Sequence, residues 1–311
     1  RKKKLQVQII IGVKCWSDRT GKNSSLVLVA TRQGSLMSLN IDTKQWESLE
    51  PWWEQSIGEK YGIQSVHGCC MVVNDANYML AVGTTLGDIV LTSIDKGKDR
   101  IKTVLRAHML RGVQGLCFVD SFCLVSFHVK SVAIWKINFE TPPNNAVVQL
   151  DPIIVLSVET KGIPLSCAYD QVNHRIILGD SRGNLLYYNT KNINNMQGGS
   201  ISATHKIHRV HQKQHVMSIK WLNKYTILSA GNDGCIHVSY LIDGIFKRGF
   251  SYPSPSITGI STITRSSKPT IVSGYYGNTF VVKDIDSGYE YIRAETGGRQ
   301  RILSLYLSQQ T

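Results

Sequence analysis

No stretch of the 311 residues approaches the ~18 consecutive apolar positions that a membrane-crossing helix requires, and Ile9-Ile10-Ile11 is only a strand. The opening Arg1-Lys2-Lys3-Lys4 does not lead into the pattern of a secretory signal. A sustained helical period is missing throughout. So are the common enzyme signatures: a glycine-rich phosphate loop, a dinucleotide or S-adenosylmethionine fingerprint behind a strand, a Gly-x-Ser-x-Gly elbow, a paired-histidine metal helix. These absences exclude a membrane span and motif-bearing catalysis, and leave open a propeller enzyme whose site is assembled from scattered loops. Acidic residues are in short supply, with 22 Asp and Glu against 35 Lys and Arg, a formal charge of +13. That excess favours anionic partners, namely nucleic acid, an acidic membrane surface or an acidic protein. Cysteines are few and odd in number: Cys15, Cys69, Cys70, Cys117, Cys123, Cys167 and Cys235. They fall mostly inside predicted strands, as reduced thiols of a cytoplasmic or nuclear protein do.

What is present is repetition. Six times an apolar strand, a tight turn and a second apolar strand follow one another, with the turns at Gly34, Gly87, Lys130, Gly183, Gly234 and Gly277. The spacings between those turns are 53, 43, 53, 51 and 43 residues. A period between the ~40–45 residues of a WD repeat and the ~50 of kelch signals radial repetition rather than separate domains. Runs rich in Val, Ile, Leu and Tyr, bounded by Gly, Asn, Asp or Ser, predict four antiparallel strands per unit. In the fifth unit they are expected at residues 215–222, 225–231, 235–242 and 244–250, with Asn232-Asp233-Gly234 turning the middle hairpin. The expected architecture is an all-β, WD-repeat-type β-propeller of four-stranded antiparallel blades, seven-bladed in its complete form. Six blades are expected near residues 5–50, 62–106, 108–160, 163–190, 207–250 and 255–293. Residues 297–308, including Arg301–Leu307, read as the opening strand of a seventh. A blade begun and not finished suggests one incomplete propeller within a longer chain, because an open ring exposes strand edges; the alternative is a six-bladed ring with a fraying tail.

Four histidines, His205, His208, His211 and His215, crowd into eleven residues. Zinc is disfavoured there: the run reads as a loop entering a strand, and Lys206, Arg209 and Lys213 add positive charge. His211 has a structural reading instead, since Asp233 lies 22 residues on. That is the WD-repeat spacing at which a loop histidine bonds a turn aspartate and fixes the blade. His108 repeats the local pattern in a blade without the turn aspartate, and Trp135 occupies the position of the aromatic that ends a WD strand. The stretch from Asn189 to Val210 reads as a long connection ending in basic residues, a pattern suited to phosphate contacts. Lys206, His208, Arg209 and Lys213 are the candidate contacts to nucleic acid or a protein partner. Arg293, Arg299 and Arg301, around Gly297-Gly298, form a second cluster. No residue is expected to be catalytic or to bind a cofactor or metal.

Several runs resemble one family. His211-Gln-Lys-Gln-His-Val-Met-Ser-Ile219 resembles its His-Gly-Lys-x-x-Val-Thr-Ser run, and Ala230-Gly-Asn-Asp-Gly234 its Thr-Gly-Arg-Asp-Gly turn. Gly274-Tyr-Tyr-Gly-Asn-Thr-Phe-Val-Val282 and Gly297-Gly-Arg-Gln-Arg301 resemble its Gly-Phe-x-x-Asn-x-Phe-Val-Val and Gly-Gly-Gly-His-Arg runs. Leu26 to Leu39 and Ile177 to Leu186 are similar to it as well, so that the resemblance covers the first, fourth, fifth and sixth units well and the second and third loosely. The family is the WD-repeat partner subunit of the eukaryotic tRNA wobble-position ribose 2′-O-methyltransferase. Gln212 stands where the family has glycine, Asn232 where it has arginine, and Gln300 where it has histidine. The resemblance implies a non-catalytic, cytoplasmic auxiliary subunit, with these residues forming the central part of a longer, multi-propeller chain. Its partners would be tRNA and the methyltransferase catalytic subunit, which would carry the S-adenosylmethionine. The competing reading is a generic protein-interaction scaffold in trafficking or endosomal recycling, which shares the fold and has no need of the positive charge.

Overall fold

Strands such as Met79–Gly83 and Cys123–Phe127 are apolar at successive positions rather than alternate ones, and every residue in them is buried. Such a strand is covered on both faces, so its sheet must lie between two packing layers. The computed structural model describes residues 10–17, 25–31, 36–40, 43–48, 71–74, 79–84, 86–93, 102–106, 112–120, 122–140, 147–191, 200–253, 259–265 and 270–296. Every regular element among them is a strand, and none of the described residues forms a helix long and apolar enough to cross a membrane.

The chain divides into two units, residues 1–128, 133–153 and 302–311, and residues 129–132 and 154–301. In the first unit, β1 (Ile10–Ser17), β2 (Ser25–Thr31), β3 (Leu36–Asn40) and β4 (Trp46–Ser48) form one antiparallel meander. A second contains β5 (Met71–Asn74), β6 (Met79–Gly83), β7 (Asp88–Ser93) and β8 (Lys102–Arg106). The third sheet opens with β9 (Gly115–Asp120), β10 (Cys123–Phe127), β11 (Ser131–Glu140) and β12 (Val147–Ser157). Met79, Ala81, Ile89 and Leu91 of the second sheet pack on Leu116, Leu124, Ala133 and Trp135 of the third. Trp135 also donates its indole N–H to Ser126 Oγ at 2.8 Å in this core. Trp135→Phe deletes the donor and part of the ring, and should lower stability by about 1–3 kcal/mol in denaturant unfolding.

The second unit contains three complete sheets. The fourth is β13 (Pro164–Asp170), β14 (Arg175–Asp180), β15 (Leu185–Asn189) and β17 (His205–Ile207). The fifth is β18 (Val216–Trp221), β19 (Thr226–Gly231), β20 (Cys235–Ile242) and β21 (Ile245–Pro253). The sixth is β22 (Gly259–Arg265), β23 (Thr270–Tyr276), β24 (Thr279–Asp284) and β25 (Glu290–Glu295). A short β16 (Ser200–Ile201) runs parallel to Val155–Leu156 of β12. The two-residue period along β19 shows how a layer is shared. Ile227 packs with Ile177, Leu185 and Tyr187 of the fourth sheet, whereas Leu228 and Ala230 pack with Ile260, Val272 and Val281 of the sixth.

The fifth sheet follows the expected strands within a few residues. The fourth differs from its expected span of 163–190, because it takes its outer strand from residues 205–207. The Asn189 to Val210 stretch is therefore not one open connection: it contains β16 and β17. The reason is the exposed edge of β15, which Leu185↔Ile207, Leu186↔Lys206 and Tyr187↔His205 pair off. The expected opening strand at 297–308 lies outside the described residues.

A buried histidine–aspartate network and the basic turns around it

The turn between β19 and β20 carries Asp233, and the connection entering β18 carries His211. Folding brings them together. His211 Nδ1 lies 2.9 Å from Asp233 Oδ1, and His211 Nε2 lies 2.9 Å from Ser229 Oγ on β19. The other carboxylate oxygen, Oδ2, is 2.9 Å from His237 Nε2 on β20, while the Cys235 backbone N–H donates to Oδ1 at 3.2 Å. His211 is fully buried and Asp233 is 3 % exposed at its side chain. Because an ionised carboxylate only accepts, the nitrogens facing it carry the protons, and His211 Nε2 accepts from the Ser229 hydroxyl.

The electrostatics follow from this wiring. Burial pushes the Asp233 carboxyl up, but the bonds from His211 and His237 and the Cys235 N–H outweigh it, holding the group well below the usual carboxylate range. Burial dominates at His211 and lowers its imidazole despite the adjacent carboxylate. His211, Asp233 and His237 each present one potential metal-ligand atom, all within 4.8 Å of one another. His211 Nδ1, His237 Nε2 and both carboxylate oxygens are already joined by hydrogen bonds, while the buried His237 Nδ1 has no hydrogen-bond partner among the described residues. The His-to-Asp spacing was legible in the sequence, and Ser229 and His237 were missed. Their signal is weak: His237 is a polar residue inside a strand buried at four successive positions, Ile236 to Ser239.

Packing is close around the network. A Cβ on Gly231 would lie 2.1 Å from the His215 carbonyl oxygen and 3.2 Å from His211 Nδ1. Gly231→Ala should cost about 1–3 kcal/mol by overpacking. Gly244→Ala, at a turn with φ +75° and open space for a Cβ, should cost about 1 kcal/mol through backbone strain alone. Comparing the two denaturation midpoints checks this order.

The candidate surface residues separate into groups. His208, Arg209 and Lys213 are exposed in the connection between the fourth and fifth sheets. The Arg209 backbone N–H donates to Asn184 Oδ1 at 3.1 Å, and that of Lys213 to the His211 carbonyl at 2.8 Å. Both adopt positive φ, 52° and 123°. Lys206, expected in a loop, is half-buried on β17 opposite Leu186. His205 beside it stacks on Tyr187, ring centroids 6.1 Å apart. Arg293 is on β25 with its guanidinium on both oxygens of Glu290, at 2.6 and 2.8 Å. Arg299 and Arg301 lie outside the described residues, as do Cys69, Cys70 and His108.

At the opposite end of the fourth and fifth sheets, Arg175 joins the two. It pairs with Asp170 at 2.8 Å, donates to the Lys224 carbonyl at 2.9 Å, and lies 5.0 Å from the centroid of the Trp221 ring. These contacts tie the two sheets together at that end.

Comparison of the sequence with protein-family models and with curated proteins finds no match. Comparison with solved structures finds a chain in the crystal structure of a mitotic checkpoint complex, with a TM-score of 0.61 and 15 % identity, covering 94 % of this chain and 82 % of that one. At that identity the likeness speaks for fold alone. Together with the all-β meanders it establishes that the chain is a WD-repeat-type β-propeller built mainly of four-stranded antiparallel sheets.

Proposed function

We propose that this chain is a non-catalytic scaffold of the cytoplasm that binds a tRNA 2′-O-methyltransferase and supports ribose methylation at the wobble position. One observation carries the reading: the runs resembling the auxiliary-subunit family, His211 to Ile219 and Ala230 to Gly234, include the connection and turn that meet in the buried network. A net charge of +13 supports an anionic partner. The chemistry-bearing side chains fit a structural role, since His211 and Asp233 are closed off from any substrate. Catalysis and S-adenosylmethionine would then reside on the partner. The scaffold would contribute by holding the tRNA and the enzyme in one orientation, which converts an encounter into a positioned reaction.

The test is binding. The purified chain should bind a tRNA transcript with an affinity that falls steeply with salt, and should co-purify with a methyltransferase. Salt-independent or absent tRNA binding, with endosomal or trafficking proteins in the co-purified set, would replace this reading with a trafficking scaffold.

A further inference from the structure

The ends of the sheets in the second unit differ in chemistry. In a four-stranded meander the turn between the second and third strands and the connection to the next sheet lie at one end, and the other two turns lie at the opposite end. At the first end the backbone joins successive pieces. The Val158 N–H donates to the Lys130 carbonyl at 2.9 Å, the Ser181 N–H to the Ile163 carbonyl at 2.8 Å, and the His211 N–H to the Gly183 carbonyl at 3.1 Å. The Asn232 N–H donates to the His215 carbonyl at 3.0 Å, so the rim continues to the fifth sheet. Gly183 permits the close approach: its φ is +76°, and a Cβ there would lie 2.9 Å from the His211 backbone.

Along this rim Lys130, Lys161, Arg182, Arg209 and Lys213 are exposed, against one exposed carboxylate, Glu159. Asp180 and Asp233 are turned inward: the first is fully buried and holds the Arg182 and Asn184 backbone N–H groups at 2.8 and 2.9 Å. Along the rim from the Lys130 turn to Lys213 no large apolar side chain is exposed among the described residues; in the sixth sheet Tyr276, beside the β23–β24 turn at this same end, is exposed. At the opposite end the exposed side chains include Val172, Tyr225, Ile242, Ile245 and Tyr289, and in its turns two exposed lysines, Lys191 and Lys224, are balanced in number by two exposed aspartates, Asp243 and Asp286.

We propose that this rim, from the Lys130 turn to Lys213, is the seat of an RNA phosphate backbone. The inference rests on the tRNA reading above and deepens it by naming the surface. Lys161 and Arg182 join Arg209 and Lys213 in it, while Lys206 and Arg293 stand apart, on the outer strands of the fourth and sixth sheets. RNA is favoured over an anionic membrane because membrane surfaces are gripped by cations together with inserted apolar side chains, and the rim from the Lys130 turn to Lys213 exposes none among its described residues, whereas Val172, Tyr225, Ile242 and Ile245 lie at the other end. Contacts of this kind position a nucleic acid without reading its sequence.

The experiment compares the full chain with K161Q/R182Q/R209Q/K213Q and with K191Q/K220Q/K224Q/K247Q, which removes equal charge from exposed positions elsewhere. Glutamine keeps a long side chain at the positive-φ positions, and thermal melting checks the fold. If the quadruple rim variant melts early, R182Q/K213Q replaces it, with half the expected effect. Binding of a fluorescein-labelled tRNA transcript is followed over about 50–200 mM salt, where each lost contact lowers the log–log slope by ~0.7–0.9. The rim variant should lose roughly 3 in slope and at least about tenfold in affinity, the control less than about twofold. Equal losses in both variants, or none in either, overturn the rim. So does a loss confined to vesicles of phosphatidylcholine and phosphatidylserine. The same proteins are assayed for stimulation of the methyltransferase. A parent chain that binds tRNA and stimulates, with a rim variant that does both equally well, overturns the rim and leaves the functional reading standing. A parent chain that does neither overturns both.

Discussion

Replacing Asp233 by Ala is expected to lower stability by about 2–4 kcal/mol, one of the largest losses available from a single polar side chain here. Three donors converge on that carboxylate: His211 Nδ1–H, His237 Nε2–H and the Cys235 N–H. The imidazoles can shift tautomer, and His211 can then face Ser229 as donor, but the Cys235 amide has no alternative form. Asp233→Asn keeps one accepting oxygen and should lose less. His211→Ala should cost about 1–3 kcal/mol, since it leaves Ser229 and one carboxylate oxygen short of a partner. Denaturation midpoints of the three variants check the order Asp233→Ala, then His211→Ala, with Asp233→Asn milder than the first.

The same network gives the pH dependence. The His211 imidazole is held below its ordinary 6.5, so as pH falls through 6.5 the unfolded chain takes up a proton that the folded chain refuses. Asp233 is held below the ordinary 3.8, so its contribution is full above that value and is lost as pH falls toward the folded pKa. In both cases the unfolded state binds more protons in acid, and stability rises with pH. The parent chain should lose stability in two stages, below about pH 6.5 and again below about pH 4. Asp233→Ala should show the first stage without this residue's share of the second. A parent chain equally stable at both ends of that range would contradict the wiring.

Strand content and repeat period were readable because apolar runs bounded by turn residues must bury themselves, and a four-stranded meander is what recurs every ~40–50 residues. The turn glycines were readable for the same reason: Gly87, Gly183, Gly234 and Gly277 all have positive φ. The outer strand His205–Ile207 was not. Its three residues carry no long apolar run, and it becomes a strand only because the edge of β15 recruits it. The His211–Asp233 contact was legible from spacing, whereas His237 joins it through cross-strand geometry that no local pattern announces. The basic rim was half legible. Arg209 and Lys213 are neighbours in sequence, but Lys130, Lys161 and Arg182 come from other turns and reach the rim only through the fold.

The second large effect concerns function. The proposed scaffold, by orienting a tRNA toward a separate enzyme, would lower the barrier by several kcal/mol, with favourable intramolecular cases reaching about 7–11 kcal/mol, while touching no reacting atom. The direct measurement is wobble-ribose methylation of a purified tRNA with the methyltransferase alone, this chain alone, and both together. Methyl transfer is expected only in the mixture, with a rate gain of several orders of magnitude over the enzyme alone. Methyl transfer by this chain by itself, or full activity of the enzyme without it, would rule out the scaffold role.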